Sequence, residues 1–250
     1  MQGRCGSVRA EDGVSLAWRA DGPPNAPPLL LCTMATAAMA VWNPLVTGLA
    51  DRWLVIRHDR RGEGSSDPGA PQSHSFATYA RDALTVLDRL EAPAAHVCGM
   101  AFGSRVAIRL ALDAPGRVLS LALFDATGAP PAGETQRRAG NEEAARLRAA
   151  ASLPAVARDP AWFARRDPAG AGLAVHALKG QPAWTPGLPT IAAPTLVACG
   201  EQDPNFDGAQ RLASEIPDAR FEAMPMTGHG SIVERPDLVL ALLKSFLEDA

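Results

Sequence analysis

Short apolar runs alternate with segments of helical period along most of the chain. Residues 29–32, Leu-Leu-Leu-Cys, form an apolar run of four, the pattern of a strand buried on both faces of a parallel sheet. A second such run covers 53–56, and 41–49 between them can form a helix. Upstream, 7–10 and 14–19 read as two short strands joined at Gly13, and Pro-rich 22–28 leads into the first buried run. Residues 76–90 place Ala80, Ala83, Leu84, Leu87 and Leu90 on one face at helical spacing. A strand is predicted at 95–98, a helix at 102–113 stopped by Pro115, and another buried strand at 118–124. Alternation of this kind implies an α/β fold, a mostly parallel twisted sheet with helices on both faces.

The alternation stops after 126. Residues 127–190 show no buried strand, several Pro and Gly interruptions and one charged helical piece, 134–150. It then resumes with a strand at 194–199, a helix at 208–216, a strand at 220–223 and a closing helix at 236–248. The sequence contains neither an internal repeat nor a low-complexity linker. One domain is expected, with a core formed by 1–126 and 188–250 and a small helical cap inserted over 127–187.

Composition excludes more than it selects. The 250 residues are 47% hydrophobic, enough for a large core. The formal net charge of −3 and the absence of any block of five like charges give no signal for nucleic acid or an acidic membrane as partner. No apolar stretch reaches the ~18 residues of a membrane span, and the first residues lack the apolar segment of a secretion signal, so a cytoplasmic protein is expected. Basic charge is almost wholly arginine, with lysine only at Lys179 and Lys244, the compositional habit of a GC-rich bacterial genome. Of the four cysteines, Cys32, Cys98 and Cys199 sit in or at the end of strand-like runs and are expected to be buried thiols; Cys5 is the fourth. No Cys/His spacing fits zinc, and neither a metal nor a cofactor is expected.

The chemistry concentrates at three turns. Cys98-Gly99-Met100-Ala101-Phe102-Gly103-Ser104 follows a predicted strand and opens a predicted helix. Gly-x-Ser-x-Gly in that context is a nucleophile elbow, a tight turn that lifts its central residue above the sheet at a helix N-terminus. Here the central residue is Ala101. Gly200-Glu201-Gln202-Asp203 follows a later strand and offers an acid in Asp203; Gly228-His229-Gly230 follows the next and offers a base in His229. Nucleophile position, acid and histidine therefore occur in the order that a strand–elbow–helix hydrolase needs, each just past a strand end. Asp125, after the preceding strand, reads as a turn residue or as the alternative acid. His58 and Asp59 read as structural members of their Arg-Gly-x-Gly loop.

Over essentially its whole length the chain resembles the α/β-hydrolase superfamily, and 29–126 is similar to the branch containing 3-oxoadipate enol-lactonases and related small esterases. The resemblance is carried by Leu30-Leu31-Cys32-Thr33 with Trp42 downstream, Asp59-Arg60-Arg61-Gly62-Glu63-Gly64-Ser65-Ser66, the elbow, Gly200 to Asp203 and Gly228-His229-Gly230. It departs at Ala101 and at Thr33-Met34, where the family usually has His-Gly. It implies a small carboxylic ester or lactone as substrate, His229 as base, Asp203 as its orienter, and an oxyanion hole made by the backbone N–H groups of Ala35 and Phe102. Thr33 and Met34 are expected at the substrate. Trp162, Phe163 and Trp184 of the cap are candidates to line the pocket or to pack the cap onto the core. Arg137, Arg138, Arg165 and Arg166 are expected to form a solvated face rather than to attract an anion. A monomer or homodimer is expected.

Three accounts fit Ala101: a hydrolase stripped of its nucleophile by a deliberate Ser→Ala change so that substrate binds unreacted, a natural small-molecule-binding protein, or an enzyme of another reaction class that uses Asp203 and His229 as a general base. The first is favoured, because one missing oxygen amid an otherwise complete constellation looks like a single step. Ser104, Cys98 and Cys32 are expected to be poor substitutes for a nucleophile, Ser104 because it faces the sheet.

Overall fold

A computed structural model of the chain describes residues 3–128, 130–155, 157–179 and 186–250. Two short strands, β1 (Arg4–Arg9) and β2 (Ser15–Asp21), pair antiparallel around the turn at Gly13. The first buried run becomes β3 (Pro28–Cys32), followed by α1 (Asn43–Leu49) and β4 (Leu54–His58). After α2 (Phe76–Arg89) come β5 (Ala95–Met100), α3 (Phe102–Asp113) and β6 (Val118–Phe124). The chain then forms α4 (Glu134–Ala150), 3₁₀ turns at Pro160–Phe163, Pro168–Gly170 and Leu188–Thr190, and α5 (Ala174–Lys179). It returns to the sheet as β7 (Thr195–Gly200), α6 (Phe206–Glu215), β8 (Ala219–Met224), α7 (Ser231–Glu234) and α8 (Pro236–Asp249).

The eight strands form one sheet in the order β1-β2-β4-β3-β5-β6-β7-β8, parallel from β4 through β8 with β1 and β2 antiparallel at one edge. Every residue of β4, β5 and β7 is buried, as a sheet covered on both faces requires. One face packs under α2, α3 and α6, with Leu87, Ile108, Leu110 and Leu212 among its buried residues. The other packs under α1 and α8, with Leu45, Leu49, Leu243 and Phe246. No helix among the described residues is long and apolar enough to cross a membrane.

The predicted elements recur within a few residues of their observed bounds, and 102–113, 118–124 and 134–150 coincide with α3, β6 and α4. Four-residue α7 follows His229 so closely that its period has no room to register in sequence. Among the described residues between β6 and β7, helices and turns predominate, with one isolated bridge, Arg165 to Gly64. Helix α4 buries only Ala144 and carries seven charged residues among its 17, so its packing leaves little mark in the sequence. Arg148 of α4 donates to Glu234 Oε2 and to the Met226 carbonyl, at 2.8 and 2.7 Å, and so ties this segment to the loop after β8.

Candidate active site

Strand β5 cannot run straight into α3; one residue must reverse the chain, and that residue is Ala101. It has φ 50° and ψ −109°, a conformation that a residue with a Cβ adopts only under constraint. Its N–H donates to the Phe124 carbonyl of β6 at 2.8 Å, while the Ser104 N–H returns to its own carbonyl at 3.1 Å. The two glycines allow the surrounding backbones to meet. A Cβ on Gly99 would lie 2.5 Å from the Ser104 Cα, and one on Gly103 would lie 2.0 Å from the Cys32 carbonyl oxygen.

The second limb begins where β7 ends. The turn at Gly200 closes with the Asp203 N–H on the Gly200 carbonyl at 3.0 Å and carries the Asp203 carboxylate inward, where it is fully buried. Its Oδ1 accepts from the Asn205 backbone at 2.9 Å and from Asn205 Nδ2 at 3.0 Å, and its Oδ2 lies 2.8 Å from His229 Nδ1. With Nδ1–H donated to Asp203, Nε2 is the nitrogen left to act as a base. Burial opposes protonation of His229, but the hydrogen bond and charge of Asp203, joined by the charge of Asp125, outweigh it and raise its pKa above the usual 6.5.

The His229 loop is clamped from both sides. Asn141 of α4 accepts from the His229 N–H at 2.6 Å and donates Nδ2–H to the His229 carbonyl at 3.1 Å. Asp125, at the end of β6 with φ 52°, accepts from the Gly230 and Ser231 N–H groups at 3.0 and 2.7 Å. Burial first, then the charge of nearby Asp203, pushes the Asp125 carboxyl up to about 7.

Ala101 and His229 border one cavity of about 410 Å³, shared with Met34, Ala35, Phe102 and Phe163. Phe102 opens α3, where its N–H has no helical carbonyl four residues back to bond. The turn carrying Ala35 is framed from below: the Thr36 N–H donates to Glu63 Oε1 at 3.2 Å, and Arg60 bridges Glu63 and the Thr33 carbonyl, each at 3.2 Å. Arg60 also lies over the Phe102 ring, 4.5 Å from its centroid.

Thr33, expected at the substrate, lies elsewhere, and of the two places open to Trp162 it takes the core. Thr33 is buried beside the cavity rather than in its lining, its hydroxyl accepting from Trp42 Nε1 at 3.2 Å and its carbonyl held by Arg60. Trp162 packs into the core with Val41 and Trp42, and its carbonyl accepts from the Ala38 N–H at 2.8 Å. Its indole is too large an apolar surface to leave wet when a core face lies within reach. Trp184 lies outside the described residues. Of the four arginines expected on a solvated face, Arg138 pairs with Glu142 on the surface, while Arg165 and Arg166 bind Glu63 and Asp67. Arg137 departs from that expectation: it borders the cavity, held by Glu134 and the Ala132 carbonyl.

Among the described residues, neither Ser104 nor the buried cysteines near the elbow replaces its nucleophile. The buried Ser104 hydroxyl donates to the Phe124 carbonyl at 2.9 Å, away from the cavity. Burial pushes the Cys32 thiol up to about 12 and the Cys98 thiol well above its usual value, so neither forms a thiolate at neutral pH. Asp125, Cys199 and Asp203 bring three donor atoms within 4.8 Å of one another. Asp203 accepts from Asn205 and pairs with His229, and Asp125 Oδ2 accepts from the loop amides, while Asp125 Oδ1 is buried without a hydrogen-bond partner among the described residues and burial raises the Cys199 thiol.

This arrangement and the sheet order define a class, and the comparison with known proteins agrees: the chain belongs to the alpha/beta hydrolase family, whose model matches residues 33–242. It is 30% identical to the "Putative carbamate hydrolase RutD" of Variovorax paradoxus, across 93% of this chain and 96% of that protein. It is 25% identical to 3-oxoadipate enol-lactonase 1 of Acinetobacter baylyi, across 96% of both. The crystal structure of the enol-lactonase from Burkholderia xenovorans superposes with a TM-score of 0.79 at 24% identity, covering 97% of this chain and all of that one, which is a likeness of fold.

Asn141, Asn205 and the role of Asp125 escape sequence reasoning. Each bonds a residue chosen by the fold rather than by spacing: Asn141 and Asp125 reach the His229 loop across 88 and 105 positions. Asn205, two residues past Asp203, is the one with a local signal, an Asx residue in a turn beside the candidate acid.

Proposed function

We propose that the chain carries the site of a serine-type hydrolase for a small carboxylic ester or lactone, with Ala101 in the nucleophile's place, so that the covalent route is closed. The observation that carries the reading is the left-handed φ of Ala101 in the wall of a cavity that it shares with His229, the partner of Asp203. Alanine gains nothing from that conformation; a serine there is presented to its base. The relatives named for carbamate and enol-lactone hydrolysis support an acyl-transfer site. Residues 127–187 are read as the cap over it.

With serine at 101, the chemistry runs in two halves. The Oγ attacks the carbonyl carbon as His229 Nε2 takes its proton, and the Ala35 and Phe102 amides hold the developing oxyanion. The carbonyl–oxygen bond to the leaving group breaks, and His229 returns the proton to the departing alkoxide. Water, deprotonated by His229, then releases the acid and regenerates the serine. With Ala101, substrate binds against the amides and no ester bond to the protein forms. A second reading keeps the same site without the covalent step: His229, whose proton affinity Asp203 raises, acts as a general base on substrate or water directly.

The experiment is a panel of aryl esters and lactones assayed with the unchanged chain and with Ala101→Ser. The proposal expects a gain of several orders of magnitude in the Ser form, because the members of such a triad act as a unit. Background turnover in both forms, with conversion of another metabolite by the unchanged chain, overturns it in favour of the second reading.

A further inference from the structure

Two buried polar atoms near the Ala35 turn have no partner among the described residues. Strands β3 and β4 run parallel with Leu31 beside Arg57, so the segments that follow them, Cys32 to Thr36 and His58 to Glu63, leave the sheet side by side. Where they part lies a small cavity of about 10 Å³, lined by Cys32, Thr33, His58, Arg60, Tyr79 and Val106. His58 and Arg60 are each 4% exposed, and His58 Nδ1 and Arg60 Nε are the two atoms left without a hydrogen bond. The hydroxyls at the same cavity are engaged elsewhere, Thr33 with Trp42 Nε1 at 3.2 Å and Tyr79 with His74 Nδ1 at 2.8 Å. A buried donor or acceptor left unmade costs more than an ordinary hydrogen bond yields, and folded proteins meet such atoms with ordered water where no protein group reaches them.

Size and charge select the ligand. A cavity of about 10 Å³ is near the least that admits one water, and two polar partners are the least that hold it. The charge of Arg60 is already matched by Glu63 at 3.2 Å, so the site has no net charge to draw an ion out of bulk water. Burial first, then the charge of Arg60, lowers the His58 pKa to about 4, so its ring is neutral. Arg60 Nε–H can only donate, whereas Nδ1 of a neutral imidazole donates or accepts according to its tautomer; water answers both.

We propose that one water molecule is bound here as a fixed part of the fold, accepting from Arg60 Nε–H and bonded to His58 Nδ1, and that it positions the turn carrying Ala35. The guanidinium is the link. Its far nitrogens hold the Thr33 carbonyl and Glu63 Oε1, which in turn accepts from the Thr36 N–H. The same guanidinium lies over the Phe102 ring. With Nε held by the water, the plane of the group is fixed from both ends. His58 is thus a positioning residue, acting on the Ala35 turn through the water and Arg60. The water site stands without the acyl-transfer reading; its effect on turnover rests on that reading.

The test begins with NMR of the unchanged chain, which needs no variant to fold. The Arg60 Nε–H proton should show a cross-peak to water with NOE and ROE of opposite sign, which a water tumbling with the protein gives and hydrogen exchange does not. His58→Phe, which keeps a ring and removes its nitrogens, should abolish that cross-peak and shift the Ala35 and Thr36 amide resonances. His58→Asn, whose side-chain amide reaches the Nδ1 position, should retain the cross-peak and leave those amides nearer their original shifts. In the Ala101→Ser form, His58→Phe should lower kcat for an aryl ester by about 10-fold with KM little changed, less than the about 10²–10³ lost with a whole oxyanion donor. No water cross-peak of that sign at Arg60, or an Arg60 Nε resonance that titrates with added chloride, overturns the water site. A cross-peak present with the Ala35 and Thr36 amides unmoved in His58→Phe overturns the positioning role. The two readings fail separately: an Ala101→Ser form that turns over no ester defeats the hydrolase reading alone, because the cross-peak and the amide shifts are read without turnover.

Discussion

Replacing Ala101 with glycine removes a methyl group and, on ordinary grounds, ought to destabilise the protein. The freer unfolded chain costs about 0.4–1 kcal/mol. The half-buried methyl adds less than the ~0.8 kcal/mol of a fully buried carbon. Against this stands the backbone of Ala101, at φ 50° and ψ −109°, whose strain is of order 1–3 kcal/mol for a residue with a Cβ and is relieved in glycine. At a helix N-cap glycine is also preferred over alanine. The balance is a net gain of about 1 kcal/mol, which in a chain of this size raises Tm by about 2–4 °C. Thermal and urea denaturation of the Ala and Gly forms, followed by circular dichroism, read this directly. A fall in Tm of 2 °C or more would mean that the Ala101 backbone is relaxed, and the argument that its conformation is held in place for a missing nucleophile would collapse.

Further expectations concern the histidine loop. In Asn141→Ala the His229 backbone loses both of its partners, which costs about 1–3 kcal/mol of stability at the ordinary net worth of a hydrogen bond. In the Ala101→Ser background the same change should lower kcat more than it raises KM, and an unaltered kcat would show that α4 does not position the base. The folded-state pKa of His229 is raised, so protonation disables the base at a higher pH than in a free imidazole. The acidic limb of kcat/KM in Ala101→Ser should lie above pH 6.5, and a limb below pH 6 would show that the Asp203 bond is not formed in solution.

The sheet and the three turns above it were legible because each leaves a local mark. Strands buried on both faces are continuous apolar runs, as at 29–32 and 118–124, and the elbow is fixed by Gly99 and Gly103 within five residues. Asp203 and His229 could be paired before any coordinates because each ends a strand segment in the required order. What surrounds them left no such mark. Asn141 sits in a charged helix where one more polar residue carries no signal, and its partner is the backbone of a residue 88 positions away. Trp162 was ambiguous for the opposite reason: an aromatic among Pro, Asp and Arg suits a pocket wall or a core equally, and only the position of the Ala38–Trp42 turn decides for the core.

Position 101 is proposed as a nucleophile's seat served by His229. Its most direct measurement is mass spectrometry of the intact protein after exposure to an aryl fluorophosphonate, which bonds covalently to a serine only when a base activates it. No adduct is expected on the unchanged chain, one adduct per molecule on Ala101→Ser located to residue 101, and loss of that adduct when His229→Ala is added. An Ala101→Ser form that folds and stays unlabelled, or that labels equally well without His229, would contradict it.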